Sequence, residues 1–262
     1  MKNICFHQAL IMLQVLLLYL TLSNGSSSEG SGSGGSGSSW SPPKDAKVRA
    51  AIAAQKAQQG EGTRVISNFI QNATLLQELT DHYLWFKCYK ETRGSNTHWL
   101  DRDAVPKTWM EKLAVQMWKD QPMTKFHKDF AGYEIWCNIL TPEGPLDWHV
   151  DKDQIAHKES GDQNLSYPLY GSVFYGYPHE FDGGFLEVVK YDPSHGDDIS
   201  LDEDEMERID AEYNRLILFN ASKFHRVAPI HSGVRITLAV NVWKDKPRVA
   251  DLEGANLQAK KA

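Results

Sequence analysis

The chain has 262 residues, of which 41% are hydrophobic and 24% are charged, and its formal net charge is −6. This composition is typical of a globular protein and excludes an intrinsically disordered chain. The length allows one domain of ordinary to large size, or two small ones. A net negative charge provides no basic surface, so we expect no nucleic-acid partner.

The first 25 residues have the pattern of a signal peptide or signal anchor. Lys2 gives a short positive start, and residues 9–22 are apolar except for Gln14 and Thr21. Small residues follow at positions 23–25. We therefore expect a protein of the secretory pathway, either in the lumen of the ER or Golgi or secreted. Contact with a membrane is expected only if the leader remains uncleaved as an anchor.

The next two segments are predicted to be a linker and a support for the main fold. Residues 26–43 are almost all Ser and Gly, which predicts a flexible linker. Residues 44–125 are predicted to form an N-terminal support of helices and one strand. We expect helices over Ala46–Gln59, Leu75–Trp85 and Val105–Trp118, and a strand over Thr63–Ile70.

From Gly132 onward the pattern changes to short β-rich runs separated by turns that contain Gly or Pro. This pattern is typical of a sandwich, a jelly roll or a barrel, and we place the domain at residues 126–247, with a tail at 248–262. An acidic segment over 197–207, followed by an expected helix over Arg208–Tyr213, is predicted to be a surface insertion. The predicted strands are Tyr133–Leu140, Trp148–Val150, Leu169–Tyr177, Phe185–Val189, Arg215–Asn220, Phe224–Ile230 and Val234–Trp243.

Two of the three cysteines, Cys88 and Cys137, lie beyond the leader. A secretory route would permit a disulfide between them, but we expect two buried thiols. Asn-x-Ser/Thr triplets, which fit the same route, begin at Asn24, Asn72, Asn164 and Asn220.

A candidate metal site begins with the run from Trp148 to Asp151, whose sequence is Trp-His-Val-Asp. On a strand, alternate side chains share a face, so His149 and Asp151 are expected to point the same way. That pair alone is a weak signal, and we predict the third ligand at His225. Two histidines and one carboxylate form the facial triad of non-haem Fe(II) oxygenases, which leaves positions open for a 2-oxo acid and O2.

Arg235 strengthens this prediction, because it lies ten residues after His225 and just beyond a tight turn at Gly233. Runs joined by such a turn are neighbours, so the guanidinium can reach into the same barrel. A buried Arg needs an anion, and the distal carboxylate of 2-oxoglutarate would supply one. Thr237 shares the face of Arg235, and its hydroxyl can add a hydrogen bond.

Three stretches carry a family resemblance. Residues 215–235 contain His-Arg-Val-Ala-Pro-Ile followed by Gly-Val-Arg, residues 177–186 end in Gly-Gly-Phe-Leu, and residues 149–151 are His-Val-Asp. Together they resemble the 2-oxoglutarate/Fe(II)-dependent dioxygenase superfamily, and within it the prolyl-4-hydroxylase-like proteins of the PKHD type. The resemblance covers about residues 130–245. It implies a double-stranded β-helix, so we predict a mainly β fold with flanking helices, a jelly roll with N-terminal helical support.

The resemblance also implies roles for single residues. It makes His149, Asp151 and His225 the iron ligands and Arg235 the anchor of the 2-oxoglutarate tail. It also implies that Asn138 helps to hold this cosubstrate.

One position departs from the family pattern. Leu140 stands where relatives usually have a Tyr that contacts the cosubstrate, and we consider Ser172 or Tyr170 as the replacement. Trp148 and Tyr177 are the candidates for contact with substrate.

The implied reaction hydroxylates a C–H bond with Fe(II), 2-oxoglutarate and O2, gives succinate and CO2, and has ascorbate as a further candidate cofactor. The substrate could be a peptide, a protein or a small molecule, and peptidyl proline is the expectation by resemblance. Two alternatives remain open. A cupin-like metal-binding isomerase or lyase would not need Arg235. A non-catalytic secreted β-domain would act as a binding module and present its acidic segment to a partner.

Overall fold

A computed structural model describes residues 62–92, 96–119, 130–144, 146–159, 166–178, 180–190 and 205–248. The predicted leader and linker, the helix expected over Ala46–Gln59, most of the C-terminal tail and residues 197–204 of the acidic segment lie outside these residues. None of the helices within the described ranges has the length and apolar character that crossing a membrane requires.

The N-terminal part of the described chain contains three helices and two strands. The Asn72 side chain caps the first helix by accepting hydrogen bonds from the backbone N–H groups of Thr74 and Leu75. The single helix expected over Leu75–Trp85 is wrong, because Asp81 accepts the N–H of Tyr83 and begins a second helix. The elements are β1 (Arg64–Ile66), α1 (Ala73–Glu78), α2 (His82–Thr92), β2 (His98–Asp101) and α3 (Trp109–Lys119).

The third helix begins later than the sequence predicts. Thr108 and Glu111 form a capping box, in which Glu111 N–H donates to Thr108 Oγ1 and Glu111 Oε2 accepts from Thr108 N–H. Glu111 Oε2 also accepts from Lys107 N–H, and these bonds help to hold the pKa of Glu111 at about 2 although burial opposes them. The helix therefore starts at Trp109 and not at Val105.

The C-terminal part is mainly β, as predicted, and its strands form antiparallel sheets. The elements are β3 (Gly132–Leu140), β4 (Leu146–His149), α4 (Gln154–Glu159), β5 (Tyr170–Tyr175), β6 (Phe181–Gly183), β7 (Leu186–Val189), β8 (Met206–Ile209), β9 (Arg215–Phe219), β10 (His225–Val227), β11 (Ile230–Gly233) and β12 (Arg235–Trp243). One sheet has six strands in the order β1-β9-β5-β12-β3-β2, one has four in the order β4-β10-β7-β8, and β11 pairs with β6. This arrangement is the double-stranded β-helix that the sequence resemblance implies.

Strands β3 and β12 are buried on both faces and form the centre of the fold. One face packs in a core with the helices, and its residues include Ile135 and Leu238 from the strands and Trp85 and Met117 from the helices. The other face lines a cavity between the two larger sheets. Because the pairing register sets Arg235 opposite Leu140 and Asn241 opposite Glu134, it fixes which polar side chains meet there.

Two predicted elements in this part are wrong. The helix expected over Arg208–Tyr213 begins inside strand β8, because Ile209 pairs with Leu186 of β7 and this tertiary pairing outweighs local propensity. The single strand expected over Phe224–Ile230 is two strands, and the break contains Pro229, which has no N–H to donate to a sheet.

The expectation of two free buried thiols is also wrong. Cys88 of α2 and Cys137 of β3 form a disulfide, with their Cα atoms 5.7 Å apart. Thr92 Oγ1 donates to Cys88 O and accepts Cys137 N–H, so a hydrogen-bonded bridge runs beside the covalent one. The disulfide therefore ties a helix of the N-terminal support to a central strand of the large sheet.

Candidate metal centre

The three predicted metal ligands meet at one point in the cavity. His149 ends β4, His225 begins β10, and the two residues pair across these strands. Asp151 lies between their ring nitrogens, with Oδ1 3.7 Å from His149 Nε2 and Oδ2 3.8 Å from His225 Nε2. The three ligand atoms all lie within 4.8 Å of one another, so one ion could contact all of them. Two imidazoles and one carboxylate are the donor set of the Fe(II) facial triad.

Backbone carbonyl groups fix the orientation of both imidazoles. His149 Nδ1 lies 2.7 Å from Asp147 O, and His225 Nδ1 lies 2.9 Å from Lys223 O. A carbonyl oxygen only accepts, so Nδ1 carries the proton in each ring and Nε2 offers its lone pair to a metal. Burial lowers the pKa of His225 to about 4, although Asp151 opposes this shift, so the ring is neutral at pH 7.

Asp151 does not lie on the strand that the sequence predicts for it. Strand β4 ends at His149, and Asp151 follows in a loop where its N–H donates to Ala221 O. Asn241 of β12 donates from Nδ2 to Asp151 Oδ2 at 2.9 Å. The carboxylate is thus positioned by a contact from the facing sheet, and strand alternation plays no part in it.

A cavity of about 290 Å³ opens beside this triad. Its walls come from both sheets, and β12 contributes residues along most of its length, from Arg235 to Trp243. Polar and aromatic side chains from β3 complete that wall, namely Glu134, Trp136 and Asn138. Such a cavity can hold a small acid between the ion site and Arg235.

The Arg235 guanidinium is buried in the cavity wall, with 1% of the residue exposed. It donates to three neutral oxygens, which are Gly184 O at 3.1 Å, Tyr175 Oη at 2.7 Å and Thr237 Oγ1 at 3.5 Å. Among the described residues, no carboxylate lies within ion-pair distance of it. A buried cation without a counter-charge is costly, so this position suits the carboxylate of a ligand.

The sequence of this region matches a family model. Residues 135–243 match the 2OG-Fe(II) oxygenase superfamily, and the matched range contains the triad and Arg235. These residues form a 2OG-Fe(II) oxygenase domain. The resemblance to the 2-oxoglutarate/Fe(II)-dependent dioxygenase superfamily is thereby confirmed for these residues.

Solved structures with a similar fold include three oxygenases. A prolyl-4-hydroxylase from Pseudomonas putida is 15% identical, with a TM-score of 0.47, over 76% of this chain and 100% of the other. A prolyl hydroxylase from Trichoplax adhaerens, in complex with a hypoxia inducible factor peptide fragment, is 14% identical, with a TM-score of 0.43. The match covers 78% of this chain and 93% of the other. A 2OG-Fe(II) oxygenase family oxidoreductase from Burkholderia pseudomallei is 14% identical, with a TM-score of 0.34. The match covers 78% of this chain and 82% of the other. No curated protein matches the sequence.

Of the other predicted cosubstrate residues of the oxygenase domain, some line the cavity and others do not. Asn138 and Ser172 line the cavity, and Ser172 Oγ donates to Val240 O. Thr237 is fully buried behind Arg235 and contacts its guanidinium. Tyr170 lies outside the cavity wall, in the core against Trp118 of α3. The oxygen beside Arg235 is instead that of Tyr175, which sequence reasoning did not select as a site residue.

The two candidate substrate residues also lie outside the cavity wall. The Arg226 guanidinium carbon lies 4.7 Å from the centre of the Trp148 ring. This pair is on one face of the four-stranded sheet, and His149 and His225 are on the opposite face. Tyr177 packs against Trp85 in the core with the helices. The structure therefore brings neither residue to the metal ligands.

Sequence reasoning missed two polar residues on the cavity wall, Asn241 and Glu134. Both could have been found by alternation, since Asn241 shares the face of Arg235 on β12 and Glu134 shares the face of Asn138 on β3. Glu134 accepts from Thr97 Oγ1 and Trp243 Nε1, each at 2.8 Å. Burial raises the pKa of Glu134 to about 7 in spite of these two bonds.

Proposed function

We propose that the oxygenase domain hydroxylates a C–H bond of a peptidyl, prolyl-like substrate, with 2-oxoglutarate and O2 as cosubstrates and succinate and CO2 as coproducts. The observation that supports this best is the buried Arg235, which has only neutral partners in the described part of the chain. A facial triad needs no such residue in order to hold a metal. A dicarboxylate cosubstrate that bridges the ion and the cavity wall does need one.

The residues of the site divide the work in this proposal. His149, Asp151 and His225 would hold Fe(II), which supplies the oxidising chemistry when 2-oxoglutarate and O2 are bound. Arg235 would bind the distal carboxylate of 2-oxoglutarate, and its guanidinium would be held in position by the Tyr175 and Thr237 hydroxyls. Apolar side chains of both sheets line much of the rest of the cavity.

The preference for a peptidyl substrate rests on sequence. The run His-Arg-Val-Ala-Pro-Ile over residues 225–230 and the Gly-Val-Arg ending at Arg235 resemble those of prolyl-4-hydroxylase-like proteins. We therefore infer a peptide or protein as the partner of this site, with a prolyl residue as the first to be tested.

A turnover assay tests the reaction class. The full chain is supplied with Fe(II), ascorbate and 2-oxoglutarate, and succinate is measured with and without proline-containing peptides, whose gain of one oxygen atom is followed by mass spectrometry. We expect His149→Ala and Asp151→Ala to abolish succinate formation. Glu187→Gln is the matched control, because Glu187 is buried and ion-paired with Arg226 away from the cavity. Wild-type turnover in both ligand variants would contradict the iron assignment.

We also propose that the protein works in the secretory pathway. The Cys88–Cys137 disulfide supports this, since such bonds persist in oxidising compartments, and so does the apolar segment over residues 9–22. Asn72 is exposed and starts a glycosylation triplet. When the full chain is expressed in cultured animal cells, its gel mobility should therefore change on treatment with peptide N-glycosidase. The change should be smaller in the Asn72→Gln variant, and a chain found in the cytosol without glycan would contradict the proposal.

A further inference from the structure

The cavity has two charged positions at opposite ends of the same pair of strands. Arg235 pairs with Leu140 at one end of the β12–β3 ladder, and Asn241 pairs with Glu134 near the other end. Six residues separate the two rows, which is about 20 Å along a strand. Because Asn241 also contacts Asp151, the metal ligands lie toward the Glu134 end. A cosubstrate held by Arg235 therefore leaves the Glu134 end for the substrate.

Glu134 carries a buried carboxyl group, and in the described part of the chain no cation lies beside it. The residue is 7% exposed and lines the cavity. Its two hydrogen-bond donors, the Thr97 hydroxyl and the Trp243 indole, are both neutral. The cationic side chains of the cavity wall are Lys152 and Arg235, and within the described ranges neither forms an ion pair with it. Each carboxylate oxygen still has acceptor capacity that a ligand could use.

Two tryptophans share the cavity wall with this carboxyl group. Trp136 lies on the same face of β3 as Glu134, and Trp243 holds Glu134 Oε2 through its indole N–H. Both indoles line the cavity. The faces of indole rings attract cations, and a desolvated carboxylate does so more strongly. The combination suits a flat or compact cationic nitrogen group better than a neutral or acidic one.

We propose that Glu134, with Thr97, Trp136 and Trp243, forms a substrate subsite that binds an ammonium or guanidinium group. This inference rests on the proposed function and refines it. The peptidyl substrate would carry a lysyl or arginyl side chain close to the residue that is hydroxylated. Glu134 is then a residue that determines specificity, while Arg235 binds the cosubstrate.

Binding of matched small probes tests the subsite without any need for turnover. The probes are N-acetyl-arginine N-methylamide, its lysine counterpart and its citrulline counterpart, which is a neutral isostere of arginine. The full chain is loaded with Zn²⁺, which is redox-inert, and with 2-oxoglutarate. Titrations are followed by NMR at the indole N–H of Trp243, because that proton is donated to Glu134. We expect the arginine probe to bind at least about ten-fold more tightly than the citrulline probe, which is the size of one charge-assisted contact.

Two variants identify the source of this preference. In Glu134→Gln the arginine-to-citrulline ratio should fall to within about three-fold, while Glu187→Gln should keep the wild-type ratio. Trp136→Leu keeps the carboxyl group and should weaken both cationic probes more than citrulline, which covers the case in which Glu134→Gln fails to fold. Equal binding of arginine and citrulline by the wild type, or no binding of either, would overturn the subsite.

Uncoupled decarboxylation of 2-oxoglutarate, measured on the iron-loaded wild type, separates this inference from the proposed function. If decarboxylation occurs but the probes show no charge preference, only the subsite is wrong. If the probes show the preference but no decarboxylation occurs, the subsite stands and the proposed reaction falls.

Discussion

At the scale of single residues, neutral hydrogen-bond acceptors hold the Arg235 guanidinium in place before any ligand arrives. Tyr175 Oη is the closest of them, at 2.7 Å from Nη2, and the guanidinium carbon also lies 4.9 Å from the centre of the Tyr175 ring. We propose that this bond, by fixing the guanidinium that binds the anion, takes the place of the contact that relatives make with a Tyr where this chain has Leu140.

Replacing this hydroxyl should weaken cosubstrate binding and leave the fold intact. In Tyr175→Phe we expect the KM for 2-oxoglutarate to rise by about ten-fold or more, since a hydrogen bond to a charged group contributes about 1.5–3 kcal/mol. The turnover number should change less, because no reacting atom is removed. Steady-state succinate formation at varied 2-oxoglutarate measures both, with the exposed Tyr213→Phe as the control. An unchanged KM would show that Tyr175 has only a packing role.

Asn241 is the second residue whose role depends on one contact. Its amide donates to Asp151 Oδ2, which fixes the carboxylate that both histidines face. In Asn241→Leu we expect the affinity for a divalent metal to fall by about ten- to a hundred-fold, the usual effect of losing such a supporting bond. Anaerobic titration with Fe(II) measures this, and thermal unfolding of the metal-free variant checks its fold. Metal affinity equal to that of the wild type would mean that Asp151 is held by its loop alone.

At the scale of elements, the sequence correctly predicts strands that have a regular pattern. It fails to predict elements whose bounds or type depend on a tertiary contact or on a single capping side chain. Strands β3 and β12 were predicted to within a residue, because both have long β-rich runs that end in turn signals. The break at Asp81 depends on one side chain acting as a helix cap. The strand at Met206–Ile209 depends on a partner strand, β7, which no local pattern reveals. Asp151 does lie beside the two histidines, as predicted, but not for the reason of strand alternation, since it follows the strand and does not lie on it.

The disulfide is the element-scale contact with the largest expected effect on stability. It closes a loop between residues 49 positions apart and joins α2 to β3 next to the cavity residue Asn138. Loop closure of this length is expected to contribute about 3–4 kcal/mol to the free energy of unfolding. Urea unfolding with and without a reductant should show a loss of this size for the wild type. The double variant Cys88→Ala/Cys137→Ala should show no further loss on reduction, and equal stability of the oxidised and reduced wild type would contradict the prediction.

At the scale of the whole molecule, the sequence could predict the fold class and the candidate ligands that the fold brings together, but it could not predict which charges the fold buries. His149, Asp151, His225 and Arg235 were found because their spacing is a pattern in the sequence. The position of Glu134 on the face of Asn138 could have been found by alternation, but its burial could not, because that depends on the pairing of β3 with β12 and on the contact with Trp243. The cavity therefore combines a predicted cation with an acid whose burial only the three-dimensional arrangement reveals.

The buried acid should give the metal-free protein a distinctive dependence of stability on pH. The pKa of Glu134 is about 7 in the folded protein, mainly because of burial, against an ordinary value of 4.5. Between these values the folded state keeps a proton that the unfolded state releases. The contribution of Glu134 to the free energy of unfolding therefore falls as the pH rises from about 4.5 to about 7, by roughly 2–3 kcal/mol in total.

His225 acts in the opposite direction over much of this range. Its folded pKa of about 4 lies below the ordinary 6.5, so its contribution to stability grows as the pH rises through that interval. The total stability of the wild type can therefore stay nearly level while the two contributions cancel. The difference in stability between the wild type and Glu134→Gln removes the histidine contribution and isolates the carboxyl group.

Urea unfolding of both proteins in the presence of a chelator, at pH values from 4.5 to 8, measures this difference. We expect the wild type to lose stability relative to Glu134→Gln by roughly 2–3 kcal/mol across the range, with most of the change complete by pH 7. Glu187→Gln, which alters a buried acid that is ion-paired with Arg226 away from the cavity, controls for the general effect of replacing a buried Glu by Gln. Parallel curves for the wild type and Glu134→Gln would mean that Glu134 is ionised throughout. Its charge would then be balanced by groups within the protein, and the cavity would have no unbalanced carboxylate to bind a cationic substrate.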